Sequence, residues 1–340
     1  MITIKEIAKE LGMSTTTVSN VIHKKTGEVS PATVEKVEEA LKEYNYIPNM
    51  SARNLAQNES KIIGVAMRAR EDKYDNALND PFSGALIGGI EKSLRYTGYY
   101  MMIYISDDVS ELAKHISLWN ADGLILLGIL GEEWKEIKKH YAKPTVFIDS
   151  YFDNSLKQLV NVGLQDRKGA YDMTKYLISC GHRRIAFMAD NCIGVDEERF
   201  NGFVQALQEA GIAFDREKDF LFHIPAREER QKSYARICDR CREYTAVFCA
   251  SDYYAVNLMN ELENRGIRVP EQLSIVGFDD NYYASAHRPA LTTVHQDPEY
   301  KGELAVQQLI RMIQGEELEE NRILLPTEVI IRDTVKVINR

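Results

Sequence analysis

A chain of 340 residues, 44% hydrophobic and 27% charged, has the composition of a soluble globular protein and the length for a small domain plus one large or two medium ones. No apolar run reaches the length of a membrane span, and the sequence opens on a capped helix rather than a signal peptide, so a cytoplasmic protein with no membrane partner is expected. The net charge of −9 excludes polyanion binding by bulk positive charge, but residues 1–61 hold eight Lys/Arg against eight Asp/Glu, so the acidity belongs to the remainder.

Thr3-Ile4-Lys5-Glu6 predicts a capping box that opens a helix over Ile4–Leu11, with Ile4, Ile7, Ala8 and Leu11 on one face. Gly12 ends it, and Ser14 caps a second helix, Thr15–Ile22, whose Val18, Val21 and Ile22 point inward. Its outward residues, Thr15, Thr16, Ser19 and Asn20, are poor interior helix formers. They are short donors and acceptors suited to base edges and phosphates, and a helix, tight turn and helix lets the second helix enter a DNA major groove. Ser14 and Thr17 flank this face. His23, Lys24 and Lys25 follow it and suit phosphates, as do Lys5, Arg53 and Lys61. Ser30-Pro31 opens a third helix, Pro31–Tyr44, with Val34, Val37, Leu41 and Tyr44 closing a small core. The stretch Met50–Gln57 is too short to hold a helix alone in water, and its Leu55 has no obvious core to join.

After Lys61 strands and helices alternate. Strands are expected at Ile62–Met67, Tyr99–Ile105, Gly123–Leu127, Thr145–Ile148, Leu159–Val162, Arg184–Ala189, Phe220–Phe222, Ala246–Cys249, Leu273–Gly277 and Thr292–His295, with a strand pair over Ile323–Ile331. Helices fall between them, among them Phe82–Thr97, Arg167–Cys180, Glu197–Ala210, Ala226–Tyr244, Tyr253–Arg265 and Pro298–Gln314. Such repeats imply parallel sheets covered on both faces, in two sets and therefore two lobes. Cys238 and Cys241 are i,i+3 neighbours on a helix without a second ligand pair, so no metal is expected, and no cofactor. No nucleophile–base motif or phosphate loop marks an enzyme, and Ile87-Gly88-Gly89-Ile90 reads as helix interior.

Ligands of open α/β sheets sit beyond the carboxyl ends of the strands. That places Asp149, Asp252 and Asp279 at strand ends, Arg199 in the first turns of a helix, and Asp80-Pro81-Phe82 at the opening of the body's first helix. Carboxylates accept from vicinal hydroxyls, arginine donates in a fixed fork, and Phe82 and Phe222 offer faces to a sugar or base. The alternatives are structural: Asp252 and Asp280 as helix caps, Asp149 as a tie between loops.

Thr3–Ala8, Met13–Ser19 and Tyr46-Ile47-Pro48-Asn49 through Leu55-Ala56 resemble the head of the lac/galactose/purine (LacI/GalR) repressor family. So do Gly181–Ala186, Val269-Pro270, Val276–Asp280 and Pro289–Val294, and together these stretches span essentially the whole chain. The resemblance implies an all-α helix-turn-helix head (1–48), a hinge helix (49–60) and an α/β body (61–340) of two lobes like a periplasmic sugar-binding protein. Lobe crossings are then expected near 162, 295 and 323, giving lobe 1 as 61–162 with 296–322 and lobe 2 as 163–295 with 323–340. The resemblance further implies a homodimer on a near-palindromic double-stranded operator. Asn49, Ala52 and Arg53 of the hinge would touch DNA, and Leu55 would wedge into the minor groove. Arg199 and Asp279 match the family's main contacts to a small-molecule effector, commonly a sugar, with Asp149, Ser251 and Phe222 lining the same pocket. Asn20 stands where arginine is common, which shifts the expected base from guanine toward adenine. The loop Met67–Pro81 is longer than the family norm and is expected at the cleft mouth.

Overall fold

In the computed structural model the described residues are 2–46 (Thr26 and Glu28 excepted), 59–68, 76–129, 131–151, 159–224, 226 and 228–338. They fall in two units, Met1–Ser60 and Lys61–Arg340. The described helices of the first unit are α1 (Ile4–Glu10), α2 (Thr15–Ile22) and α3 (Pro31–Glu43). Each begins at a hydroxyl cap that satisfies an orphan amide: Thr3 with the reciprocal Glu6, Ser14 to the Thr17 amide at 3.0 Å, and Ser30 to the Thr33 amide at 3.3 Å. Helices this short are marginal alone, so packing must hold them. Ile7, Val18 and Val37, one from each helix, are fully buried at the centre, and Ala8, Val21 and Ala40 complete the core. Each large aliphatic side chain so buried contributes about 1.5–3 kcal/mol. Ile22, expected inside, is only partly buried at its edge.

The body holds two parallel sheets. The first has the order β11-β5-β4-β3-β1-β2, from β1 (Ile62–Arg68), β2 (Tyr100–Ser106), β3 (Gly123–Leu127), β4 (Thr145–Ile148), β5 (Val160–Leu164) and β11 (Arg322–Leu325). The second has the order β7-β6-β8-β9, from β6 (Ile185–Ala189), β7 (Phe220–Phe222), β8 (Ala246–Cys249) and β9 (Ser274–Val276). Their central strands are continuous apolar runs, as strands covered on both faces require: β4, β6 and β8 are buried throughout. β10 (Thr293–His295) and β12 (Glu328–Ile330) form a separate antiparallel pair.

The chain passes between the lobes after Leu164, after His295 and after Leu325. The first and third passages lie two residues beyond 162 and 323, because β5 and β11 stay paired to the register Leu164–Leu325. Residues 323–331 do not form one strand pair. Pro326 lacks the amide needed to continue a ladder, so β11 ends in the first sheet and β12 pairs with β10 instead. The helix expected from Ala226 begins at Arg230, and two short helices escaped the periodicity reading, Arg216–Asp219 and Tyr282–Ala286.

Three glycine contacts, in two pairs of helices, set the helices that carry the site. A Cβ on Gly89, in the helix Pro81–Leu94, would lie 2.2 Å from the Glu299 carbonyl oxygen, and one on Gly302, in the helix Pro298–Ile313, 2.6 Å from that of Leu86. The two backbones therefore touch. In the second lobe a Cβ on Gly202 would lie 2.0 Å from the Arg167 carbonyl oxygen, bringing the helices Asp166–Ser179 and Val195–Glu209 together in the same way. Gly88 is the internal control, because a Cβ there meets nothing within 4 Å. Gly89→Ala is expected to destabilise the protein by about 1–3 kcal/mol through overpacking, and Gly88→Ala to stabilise it by about 0.5–1 kcal/mol, measured as opposite shifts of the urea midpoint.

Candidate functional site

In the head, Ser14, Thr15 and Thr16 are exposed at the start of α2, and Thr17, Ser19 and Asn20 are half-buried along it. The Thr17 hydroxyl is hydrogen bonded to Ser14 Oγ at 2.9 Å, so these two hydroxyls build the cap as well as flanking the face. His23 closes α2, and Lys24 follows in the left-handed region at φ 54°, where the chain turns away with Lys24 and Lys25 exposed. Glu35, Glu38 and Glu39 are exposed on α3. The Tyr44 hydroxyl donates to Glu10 and ties α3 to α1, which pushes its phenol up to about 12. Asn49, Ala52, Arg53 and Leu55, with the rest of the expected hinge helix from 49 to 58, lie outside the described residues.

In the body the candidate residues converge on one line of polar contacts. Asp149 follows β4 in a left-handed conformation at φ 50°, and both its oxygens accept from Lys301 Nζ, at 2.8 and 2.7 Å. The third ammonium donor goes to Gln296 Oε1 at 3.0 Å, and the Phe82 ring lies 5.1 Å from the same nitrogen. Gln296 Nε2 donates in turn to Asp279 Oδ1 at 2.7 Å. That oxygen also faces Arg199 Nη1 at 3.3 Å, and Arg199 Nε donates to Asp166 Oδ1 at 2.7 Å. Tyr151, back on the first lobe, donates its hydroxyl to the other Asp166 oxygen. Arg199 Nη1 also donates to the Ala250 carbonyl at 2.7 Å, and its guanidinium lies 3.7 Å from the centre of the Phe278 ring. Lys301 and Asp166 are completely shielded and Arg199 nearly so.

Burial sets the protonation tendencies. It would lower the Arg199 guanidinium, but Asp166, Asp279 and Asp196 more than reverse this and hold it charged. It pushes the Asp149 carboxyl up against the pull of Lys301, and it raises the Tyr151 phenol, helped by Asp166. Asp252 is the extreme case: burial, reinforced by Asp279, pushes it well above the usual carboxylate range.

Neither Asp252 nor Asp280 caps a helix. Ser251 is the N-cap of the helix Asp252–Asn264, without a side-chain cap bond, and its buried Oγ has no hydrogen-bond partner. Asp252 instead accepts from the Asn281 amide at 3.0 Å and the Thr293 hydroxyl at 2.5 Å, which pins three segments together. Asp280 bonds Arg332 and His295, and Asn281 caps the short helix after it. Asp80 caps no amide but accepts from the Ser83 hydroxyl at 2.9 Å, and Phe222 ends the edge strand β7 with 57% of its surface exposed, so neither belongs to the line of polar contacts. Of the loop expected at the cleft mouth, residues 69–75 lie outside the described residues, and a single turn, Ala77–Asn79, precedes Asp80. Beside Tyr151 and Asp166 a cavity of about 400 Å³ opens at the first lobe crossing, with Leu164, Arg167, Tyr171 and Leu324 in its wall.

Four members of the line escaped the sequence reading: Lys301, Gln296, Asp166 and Tyr151. Lys301 did leave a signal, since it heads the buried stripe Lys301, Ala305, Leu309, where a charge must find a partner. Cys238 and Cys241 are both buried, and burial raises their thiols.

Residues 3–49 match the family described as bacterial regulatory proteins, lacI family, and residues 174–335 match a periplasmic binding protein-like domain. The chain is 32% identical over 349 residues, covering all of both chains, to the HTH-type transcriptional repressor PurR of Vibrio vulnificus. It belongs to the lacI family of bacterial regulatory proteins. Among solved structures, the lac repressor dimer bound to operator and the anti-inducer ONPF matches with a TM-score of 0.85 at 24% identity, over 98% of this chain and 99% of that one. A complex of the transcriptional regulator CelR with cellobiose matches with a TM-score of 0.73 at 26% identity, over 98% of this chain and 100% of that one. This lacI-family chain is thus a transcriptional repressor with an α-helical DNA-binding head and an α/β body, and its relatives are not enzymes. Among the described residues no helix is long and apolar enough to cross a membrane.

Asp252 gives this repressor a defined pH response. The folded carboxyl keeps its proton well above the value near 3.9 at which the unfolded chain releases it. The native state therefore binds more protons than the unfolded state, and this position's contribution to stability falls as pH rises above about 4. An asparagine amide can accept from the Asn281 amide and donate to Thr293 without carrying charge. Asp252→Asn is expected to match the wild type near pH 4 and to gain on it as the pH rises above that in urea melts.

Proposed function

We propose that this repressor binds a near-palindromic double-stranded operator as a homodimer, and that a small-molecule effector, a sugar or sugar derivative, controls it from between the lobes of the body. The line of side chains from Asp149 and Lys301 through Gln296 to Asp279 and Arg199 carries this reading. A ligand seated against that line touches both lobes at once, and it can favour one lobe arrangement only through such differential contact. In this reading Arg199, Asp279 and Asp149 meet its polar groups, Phe82 and Phe222 offer ring faces, and Asp80, Ser251 and Asp252 complete the surroundings. CelR, 26% identical and bound to cellobiose, supports a saccharide. A nucleobase is the second class, because its N–H groups and ring acceptors match the same carboxylates and donors.

On the DNA side, Ser14, Thr15, Thr16, Thr17, Ser19 and Asn20 read the major groove while His23 and Lys24 hold phosphates. Asn49, Ala52, Arg53 and Leu55 act as a hinge helix in the minor groove. The matching of residues 3–49 to the lacI family supports this assignment.

A thermal-shift screen with mono- and disaccharides and nucleobases is expected to yield a stabilising ligand, and Arg199→Ala to lose that shift while staying folded. A full shift retained by Arg199→Ala would remove the cleft from the mechanism. Selection from random duplexes should return inverted repeats, and Asn20→Ala should lose about 1–3 kcal/mol of discrimination at one base pair of each half-site. Binding by fluorescence anisotropy that favours no inverted repeat over random DNA would overturn the operator reading.

A further inference from the structure

We propose that the cleft selects an uncharged ligand, rich in hydroxyl or N–H donors, and that the pairing of Lys301 with Asp149 sets this selectivity. The inference rests on the reading that the effector binds along the line of contacts between the lobes, and goes beyond it by naming the charge the effector must carry.

A site for a phosphate or carboxylate needs a cation with donors to spare. Lys301 has none. An ammonium has three N–H donors, and here two go to the oxygens of Asp149 and one to Gln296 Oε1. Its side chain is fully shielded, so an anion would first have to displace Asp149. Among the described residues Arg199 faces two carboxylates, Asp166 at 2.7 Å and Asp279 at 3.3 Å. An anion brought beside them meets both carboxylates in a water-poor setting, where such repulsion is little screened.

The same surroundings suit a neutral partner. Among the described residues Arg199 donates through Nε and Nη1 and not through Nη2, and the buried Ser251 Oγ, next to the Ala250 carbonyl that Arg199 holds, has no partner there. These two groups can take a hydroxyl oxygen or a ring nitrogen, while the carboxylates accept from the ligand's own O–H or N–H groups. Lys301 therefore neutralises Asp149 from behind and is not itself an anchor for an anionic group.

The test uses the full chain and matched pairs: ribose with ribose 5-phosphate, glucose with glucose 6-phosphate, and guanosine with guanosine monophosphate, followed by calorimetry. Only uncharged members are expected to bind; tighter binding of a phosphorylated member would overturn the proposal. Inorganic phosphate, against sodium chloride of equal ionic strength, decides the matter even if no panel member binds. The wild type is expected to show no phosphate-specific thermal shift. Asp149→Asn, which releases Lys301, is expected to bind phosphate at least about tenfold more tightly than the wild type. The double variant Asp149→Asn with Lys301→Met, which removes the ion pair as a unit and is the variant expected to fold most readily, should lose that gain. A phosphate response in the wild type, or none in a folded Asp149→Asn, would overturn the selectivity. Binding of a neutral sugar that ignores Arg199→Ala would instead overturn the location of the site.

Discussion

The Gln296 amide is the joint on which the body depends. Its oxygen accepts from Lys301, which answers Asp149 of the first lobe, and its nitrogen donates to Asp279, which answers Arg199 of the second. Two buried ion pairs, one from each lobe, are thereby joined through a single neutral group that sits on a strand-to-helix crossing. Taking such charges out of water is costly, and well-packed apolar residues would often serve stability as well. Leaving either charge without its counterion would cost about 3–5 kcal/mol. What the arrangement provides is dependence: the charges of one lobe cannot move far from those of the other without breaking a bond at Gln296.

That joint is held by backbone contact rather than by loops. Gly302 follows Lys301 directly, and its closeness to the Leu86 carbonyl fixes how deeply the lysine enters the cleft relative to Phe82, in the first turn of the other helix of the pair. Gly202 plays the equivalent part for Arg199 and Asp166, which open the two helices it brings together. Each lobe thus sets the cation of the polar line, Lys301 or Arg199, on a close-packed pair of helices, while Asp149, Gln296 and Asp279 stand on the connections beyond strand ends.

Much of this was legible in the residues, and the gaps have physical causes. The caps of α1, α2 and α3 are local signals and are formed where their residues stand. The strands β3, β4, β7 and β8 are short, largely apolar runs, each with a polar residue at one end at least, and their limits coincide with those runs. Arg199 and Asp279 stand at strand or helix ends, where the architecture itself points. Lys301 and Asp149 are 152 residues apart, and no local pattern records a pairing at that distance. Asp166 is the first residue of a helix, where a carboxylate is common, and nothing local records that its partners are Arg199 and Tyr151. The split of β11 from β12 turns on one residue, Pro326, whose effect depends on which neighbouring strand is within reach.

The connectors between the lobes are short: Gln165 alone between β5 and the helix that follows, Gln296 and Asp297 at the second passage, Pro326 and Thr327 at the third. A two-residue link spans at most about 7 Å. Three such straps side by side act as the spine of a book, allowing its covers to swing but not to slide past each other. A body strapped in this way can change its shape chiefly by an angle between its lobes.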